Sequence, residues 1–186
     1  MTRAVFIDKD GTLIRDVPYN VNAALVDMEE HAGEALSLLK KNKYLLIVIS
    51  NQSGVAKGFF SEDDLKEINN EIQQKLFKHQ VKIDAFYYCP HLPDGLIKEY
   101  SIECSCRKPQ SGMIFKAVKD FNINVHKSWM IGDILNDVEA GKSSGCKTIL
   151  IDNGNETEWI LNEQRTPDYK AKNLRQAAEI IIENDT

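Results

Sequence analysis

The stretch Ala4-Val5-Phe6-Ile7-Asp8-Lys9-Asp10-Gly11-Thr12 decides how the rest of the chain is read. Four apolar residues in a row, without alternation, fit a strand covered on both faces of a parallel sheet. The run ends at two acids flanking a lysine, followed by the turn signal Gly-Thr. An EF-hand loop would need its glycine at the sixth position and a helix in front, so a calcium loop is excluded here. Two carboxylates separated by one residue, whose side chain is expected to point away, can divide the labour of group transfer. One attacks as nucleophile and the other serves as general acid and base.

Working outward, short apolar runs alternate with amphipathic stretches, the βαβ pattern of a parallel sheet with helices on both faces. A helix is expected near residues 29–42, with Ala32, Ala35, Leu36 and Leu39 on one face, then a buried strand over Tyr44–Ile49. Ser61 with Asp64 resembles a capping box that opens a long helix with Leu65, Ile68, Ile72 and Leu76 inward. Further strands are expected at Ile83–Tyr88, Ser128–Ile131 and Lys147–Ile151. Helices are expected at 112–121, over Val138–Ser144 with Gly145 as its stop, and around Leu174, Ala177, Ala178 and Ile181. Two stretches break the rhythm. Residues 89–111 carry Pro90, Pro93, Gly95 and Pro109 and read as an insertion, and 152–173 reads as a polar loop with a short helix around Trp159. The expected fold class is α/β, a Rossmann-like three-layer sandwich with a mostly parallel central sheet, no large cap domain and a small zinc-binding loop insertion. Residues 1–186 form one domain in this reading.

Polar groups follow the strands repeatedly: Asp8, Asp10, Gly11 and Thr12 after the first, and Ser50, Asn51, Gln52, Ser53 and Gly54 after the second. Arg107 and Lys108 close the insertion after the third, and Gly132, Asp133, Asn136 and Asp137 follow the fourth. In open α/β sheets ligands bind beyond the carboxyl ends of the strands, so all four groups are expected to meet at one edge. Asp8 and Asp10 with Asp133 make a hard oxygen site suited to Mg²⁺. Ser50 to Gly54 offer hydroxyls and amides to phosphate oxygens, and Arg107-Lys108 adds cations for a transferring phosphoryl group.

The 186 residues include 42% hydrophobic and 27% charged side chains, enough for a core without disulfide staples. Lys plus Arg number 23 against 28 Asp plus Glu, a net charge of −5, which argues against a nucleic-acid partner. The longest apolar run, Tyr44–Ile49, is far short of the ~20 residues needed to span a membrane. No signal-peptide pattern precedes the first strand, so a cytoplasmic location is expected, and with no large cap domain a monomer is expected. In a reducing compartment the four cysteines are not a disulfide framework. Cys89-Pro90-His91 and Cys104-Ser105-Cys106 supply three thiolates and an imidazole in two close pairs, the ligand set of a closed structural Zn²⁺ site within a loop at about 89–106. Cys146 reads as an ordinary buried thiol. His31, His79 and His126 are expected on helices or at a strand start, without named partners.

Asp8-x-Asp10-Gly11-Thr12, Ser50-Asn51-Gln52, Lys108 and Gly132-Asp133-x-x-x-Asp137 stand in the order of the four motifs of haloacid dehalogenase-like phosphatases. The chain resembles that family from Phe6 to about Ile151. Through Asn51-Gln52-Ser53-Gly54-Val55-Ala56-Lys57-Gly58, Tyr87-Tyr88-Cys89-Pro90-His91 and Cys106-Arg107-Lys108-Pro109 it is similar to the D,D-heptose 1,7-bisphosphate phosphatase and histidinol-phosphatase branch. The resemblance implies Asp8 as the nucleophile that forms an aspartyl-phosphate and Asp10 as acid and base. It implies Mg²⁺ on Asp8, the Asp10 carbonyl and Asp133, with Ser50 and Lys108 on the phosphoryl oxygens. Asn51, Gln52, Ser53 and Arg107 would contact substrate, Asp16-Val17-Pro18-Tyr19 would line the entrance, and Asp137 would orient Lys108 or a water. The implied substrate is a small phosphorylated sugar, with histidinol phosphate as the alternative. A polynucleotide 3′-phosphatase and a non-catalytic binding domain are the remaining readings. Two positions depart from the branch: Ile134 stands where a basic residue is common after Gly-Asp, and 152–157 lacks another.

Overall fold

The computed structural model describes residues 1–184. In chain order its regular elements are β1 (Ala4–Ile7), α1 (Ala32–Lys41), β2 (Leu45–Asn51), α2 (Glu62–Phe77), β3 (Ala85–Cys89), α3 (Gly112–Phe121), β4 (Trp129–Gly132), α4 (Leu135–Ser144), β5 (Lys147–Ile151), β6 (Tyr169–Ala171) and α5 (Leu174–Glu183). The strands form one sheet in the order β3-β2-β1-β4-β5-β6, and every pair is parallel. The chain steps from β1 outward to β2 and β3, then returns to β4 on the other side of β1. The crevice beyond the ends of β1 and β4 is therefore the switch point at which open sheets bind ligands.

Period-two alternation splits each strand between two cores. Val5, Ile7, Leu46, Val48 and Ile131 face α1, α2 and α5 through Leu36, Leu39, Ile68, Ile72 and Ile181. Ala4, Phe6, Ile47, Ile49 and Met130 face α3 and α4 through Met113, Ile114, Ala117 and Ala140. The three expected layers are thus present. The capping box at α2 forms as read, with the Asp64 amide donating to Ser61 Oγ and the Ser61 amide to Asp64 Oδ2 at 2.7 Å. Gly145 ends α4 at φ +91. Among the described residues no helix is long and apolar enough to cross a membrane.

The expectations fail mainly in 152–173. No helix forms around Trp159, because the Asn162 side chain takes the Gln164 and Arg165 amides (2.9 and 3.0 Å) that helical carbonyls would otherwise accept. Trp159, Ile160 and Leu161 remain exposed, so no buried stripe draws the segment into a helix. A sixth strand, β6, lies in the part read as loop; at three residues it is too short to show periodicity. His31 sits before α1 in a left-handed conformation beside Glu30 and Glu34, rather than within the helix.

β6 is fastened to the sheet by Asp168. Its carboxylate accepts from the Thr148 amide (2.7 Å), from Thr148 Oγ1 (2.9 Å) and from Lys142 Nζ (2.6 Å). Burial alone would raise the pKa of this carboxyl, but the bonds from Lys142 and Thr148 outweigh it and hold the group below its ordinary value. A depressed carboxylate stabilises the fold fully above its unfolded pKa and loses that contribution as pH falls through the folded one. Asp168→Asn is expected to cost about 1–2 kcal/mol at pH 7 in urea unfolding. The difference from the parent chain should shrink as pH is lowered through the carboxylate range, and a pH-independent difference would contradict the assignment.

Candidate active site

The site is assembled at the carboxyl ends of β1, β2 and β4. β1 runs on into the first motif: the Asp8 amide donates to the Ile131 carbonyl (2.9 Å), and the Lys9 carbonyl then accepts from Leu13 and Ile14, closing a tight turn. Gly11 occupies that turn at φ +82, and a Cβ there would lie 2.3 Å from Asp133 Oδ2. Only glycine lets the turn approach the carboxylate this closely. Gly132 serves the same end, since a Cβ on it would meet the Asp137 carboxylate at 2.2 Å.

Lys108 lies at the centre, 3% exposed. Its ammonium donates to Asp8 Oδ1, to Asp137 Oδ1 (2.6 Å) and to the Ile49 carbonyl (3.2 Å). Asn51 holds the backbone of the same residue: Oδ1 accepts from the Lys108 amide (2.9 Å) and Nδ2 donates to its carbonyl (3.0 Å). Asp133 accepts from Thr12 Oγ1 (3.0 Å) and from Asn155 Nδ2 (2.7 Å). Asp10 is held on one oxygen by Lys9 Nζ (2.7 Å) and on the other by Gln52 Nε2 (3.0 Å), which also bonds Ser50 Oγ (2.6 Å).

Carboxylate oxygens of Asp8, Asp133 and Asp137 lie within 4.8 Å of one another. Burial and, beneath it, the charges of Asp137 and Asp10 push Asp8 up to about 7 against the opposing pull of Lys108. Burial and the Asp8 charge push Asp133 up to about 6, with the bonds from Asn155 and Thr12 working the other way. Burial also raises Asp137, opposed by Lys108 and reinforced by Asp133. Burial would lower Lys108, but Asp137 and Asp8 more than reverse it. Three buried carboxylates around one ammonium leave excess negative charge, which a hard divalent cation neutralises. The donor set therefore fits Mg²⁺, and Asp8 and Asp133 are the side chains free of the Lys108–Asp137 pair on at least one oxygen.

Beside Asp10 opens a cavity of about 280 Å³ lined by Lys9, Asp10, Asp16, Tyr19, Asn51, Gln52 and Ser53, among others. The Tyr19 hydroxyl accepts from Lys57 Nζ (2.5 Å) and its ring meets Phe59 edge-on at 4.8 Å, so the entrance loop is docked on the loop after β2. Asp16 is raised by burial and by the Asp10 charge. Arg107 stands outside this lining; its guanidinium donates to the His91 carbonyl (3.3 Å).

The insertion brings Cys89, His91, Cys104 and Cys106 together. The sulfurs are 3.0 to 3.5 Å apart, and His91 Nδ1 lies 3.7 Å from Cys89 and 3.3 Å from Cys106. A tetrahedron of Zn–S bonds near 2.3 Å has edges of about 3.8 Å, so this cluster fits zinc with a small expansion. The loop is further pinned where the Leu96 and Ile97 amides donate to the Ala56 carbonyl (2.8 and 2.9 Å).

The structure thus gathers Asp8, Asp10, Ser50, Asn51, Gln52, Lys108 and Asp133 into one hydrogen-bonded group and places Asp16, Tyr19 and Ser53 along the adjoining cavity. One expectation is corrected. Lys9 does not point away from its acidic neighbours; it is buried and paired with Asp10, because β1 ends at Ile7 and strand alternation no longer applies. Asn155 escaped the reading from sequence, as it lies in an irregular segment without motif or period.

A family model described as HAD-hydrolase-like matches residues 105–177. The D-glycero-beta-D-manno-heptose-1,7-bisphosphate 7-phosphatase of Haemophilus ducreyi is 41% identical over 150 residues, covering 80% of this chain and 82% of that protein. The protein of the same name from Escherichia coli K12 is 33% identical, covering 86% and 88%. The D,D-heptose 1,7-bisphosphate phosphatase of B. bronchiseptica, solved with magnesium and phosphate, shares the fold at a TM-score of 0.81 and 24% identity over 98% of this chain and 99% of that one. With its carboxylates and Lys108 at the switch point and relatives of this identity along most of its length, the chain belongs to the haloacid dehalogenase-like phosphatases.

Proposed function

We propose that the chain is a Mg²⁺-dependent phosphatase that removes the C7 phosphate of D-glycero-D-manno-heptose 1,7-bisphosphate through an aspartyl-phosphate on Asp8. The observation that carries the reading is the buried contact of Lys108 with Asp8, set beside Asp133 at the switch point. It joins a nucleophile, a fixed cation and a second hard ligand within one hydrogen-bonded cluster. Phosphoryl transfer is chiefly positioning and charge stabilisation, and these are its parts.

In this reading an Asp8 oxygen attacks phosphorus while the bond from phosphorus to the C7 oxygen breaks. Asp10, protonated, gives its proton to the departing alkoxide. Water then attacks the phosphoaspartate, Asp10 takes the water's proton, and inorganic phosphate leaves with Asp8 restored. Ser50 Oγ and Lys108 Nζ hold the phosphoryl oxygens. Asn51 fixes the Lys108 backbone, and Gln52 ties Ser50 to Asp10. Asp16, Tyr19 and Ser53 contact the sugar, and Arg107, which stands outside the cavity lining, is left to meet its distal end. Mg²⁺ would be held by Asp8, Asp133 and the Asp10 carbonyl, where it supplies charge stabilisation to the transferring group. Zn²⁺ on Cys89, His91, Cys104 and Cys106 would have all four positions filled by protein and so brace the loop that carries Arg107 and Lys108.

One observation favours the second reading, histidinol-phosphate phosphatase. Carboxylates of Asp10 and Asp16 line the cavity, and Ile134 stands where the bisphosphatases commonly carry a basic residue. A panel of phosphomonoesters with Mg²⁺ separates the two. The expected result is a kcat/KM for one anomer of the heptose bisphosphate at least about 10-fold above that for histidinol phosphate, roughly 1.4 kcal/mol of transition-state preference. Comparable rates on both would overturn the substrate assignment and leave the family untouched. Asp8→Asn should lower kcat by about 10³-fold or more while circular dichroism stays unchanged, since the amide oxygen can still accept from Lys108. Retained turnover would remove Asp8 as nucleophile. Metal analysis of the purified chain should find about one zinc per molecule, lost when the ligand cysteines are replaced by serine. A zinc-free, fully folded protein would refute the brace.

A further inference from the structure

Asp133 is one of the two side chains assigned above to the divalent cation, and both of its oxygens are held from the protein side. Thr12 Oγ1 donates to Oδ1 (3.0 Å), and Asn155 Nδ2 donates to Oδ2 (2.7 Å). Thr12 belongs to the first motif. Asn155 comes from the irregular segment after β5, whose residues 152–155 are exposed along their outer side.

An exposed asparagine at the end of a loose segment would hold nothing firmly, but this segment is tied at three further points. Asn153 Nδ2 donates to the Gly11 carbonyl (2.8 Å), fastening the segment to the turn that carries Asp8 and Asp10. The Asn155 amide donates to Asn153 Oδ1 (3.1 Å), which sets the backbone that aims the Asn155 side chain. Glu156 Oε2 accepts from the Leu135 amide (2.5 Å), fastening the segment to the first turn of α4, two residues after Asp133. Asp133 and Asn155 meet at Gly11, where an added Cβ would lie 2.3 Å from Asp133 Oδ2 and 2.6 Å from Asn155 Nδ2. The carboxylate can only accept, so the amide must present its NH₂ to it.

We propose that Asn155 is a positioning residue for the divalent-cation site, and that residues 153–156 form a strap holding Asp133 in its orientation toward Asp8. The inference rests on the Mg²⁺ ligand set given under Proposed function, but not on the identity of the substrate. A carboxylate ligand is useful to a cation only if its orientation is fixed before the cation arrives, since otherwise binding must order it. Thr12 alone leaves the Oδ2 side free to swing, and the Asn155 bond removes that freedom. Asn155 and Glu156 are thus committed to Asp133 and to the first turn of α4.

The test is metal binding rather than turnover. Mn²⁺ is titrated into the full-length, zinc-loaded protein in the absence of substrate, and free Mn²⁺ is read by electron paramagnetic resonance. Asn155→Leu keeps the volume and loses the donor; it should weaken Mn²⁺ by about 10–100-fold, the range found when partners of metal ligands are removed. Zinc content and the thermal midpoint without added divalent ion should not change. Asn155→Gln retains a donating amide and should recover most of the affinity. Unchanged Mn²⁺ affinity in Asn155→Leu overturns the proposal. So does an equal loss in both variants with a lowered metal-free midpoint, which would assign the effect to the shape of the loop. Because no substrate is present, failure of the heptose assignment leaves this measurement standing.

Discussion

The contact between the Lys108 ammonium and the Asp8 and Asp137 carboxylates is the constraint around which the site is built. Asp137 has no solvent and Asp8 little to disperse its charge, and each would repel the other in the absence of a cation between them. Burying such a set is costly unless its geometry is nearly complete. Completion here comes from parts far apart in the chain: the end of β1, the Ile49 carbonyl of β2, the first turn of α4, and the residue that closes the Cys/His loop. Asn51 locks the Lys108 backbone, so the ammonium is placed by two independent clamps, one on its peptide and one on its head group. Removing either acid would leave the lysine partly unpaired, and removing the lysine would leave two buried anions facing one another.

Delivering Lys108 is the task that explains the insertion. The segment from Cys89 to Cys106 carries few apolar side chains that reach a core, and several that it does carry, such as Leu96 and Ile102, stay exposed. Hydrophobic burial cannot fix such a loop. Four ligand atoms within 4.8 Å of one another can, and the ordered path ends two residues before Lys108. Bonds from Leu96 and Ile97 to Ala56 join the loop to the segment that also meets the Tyr19 entrance loop. The Cys/His cluster, the cavity wall and the central lysine thus share one mechanical frame.

What could be read from the residues follows from how much periodicity and chemistry each segment carries. β1 and the first five residues of β2 are unbroken apolar runs, and α2 opens with a capping box, so both the layers and the sheet were legible. The site was legible where strand ends coincide with charged residues, as at Asp8 and Asp133, and where Lys108 closes the Cys/His insertion after β3. β6 was not, because three residues give no period and its hold on the sheet comes from Asp168 reaching Thr148 across twenty positions. Lys9 was misread because alternation was extended two residues past the end of β1. Asn155 was invisible because its significance lies in a contact with Asp133, twenty-two positions away, and an asparagine in a polar loop has no distinguishing neighbours.

The two ligand clusters divide metals by chemistry rather than by affinity. Asp8 and Asp133 with the Asp10 carbonyl offer hard oxygens, a set that would suit a strongly hydrated cation keeping some of its water. Three thiolates and an imidazole offer soft donors in a closed set, which suits zinc and leaves no position for substrate. A single kind of ligand in both places would make the clusters compete for the tighter-binding metal. Because the donors differ, a softer metal such as zinc would be drawn to sulfur and away from the carboxylates beside Asp8. The net charge of −5 is compatible with an anionic substrate for the same reason: the negative charge nearest the reacting phosphate is the part already committed to Lys108 and to a hard cation.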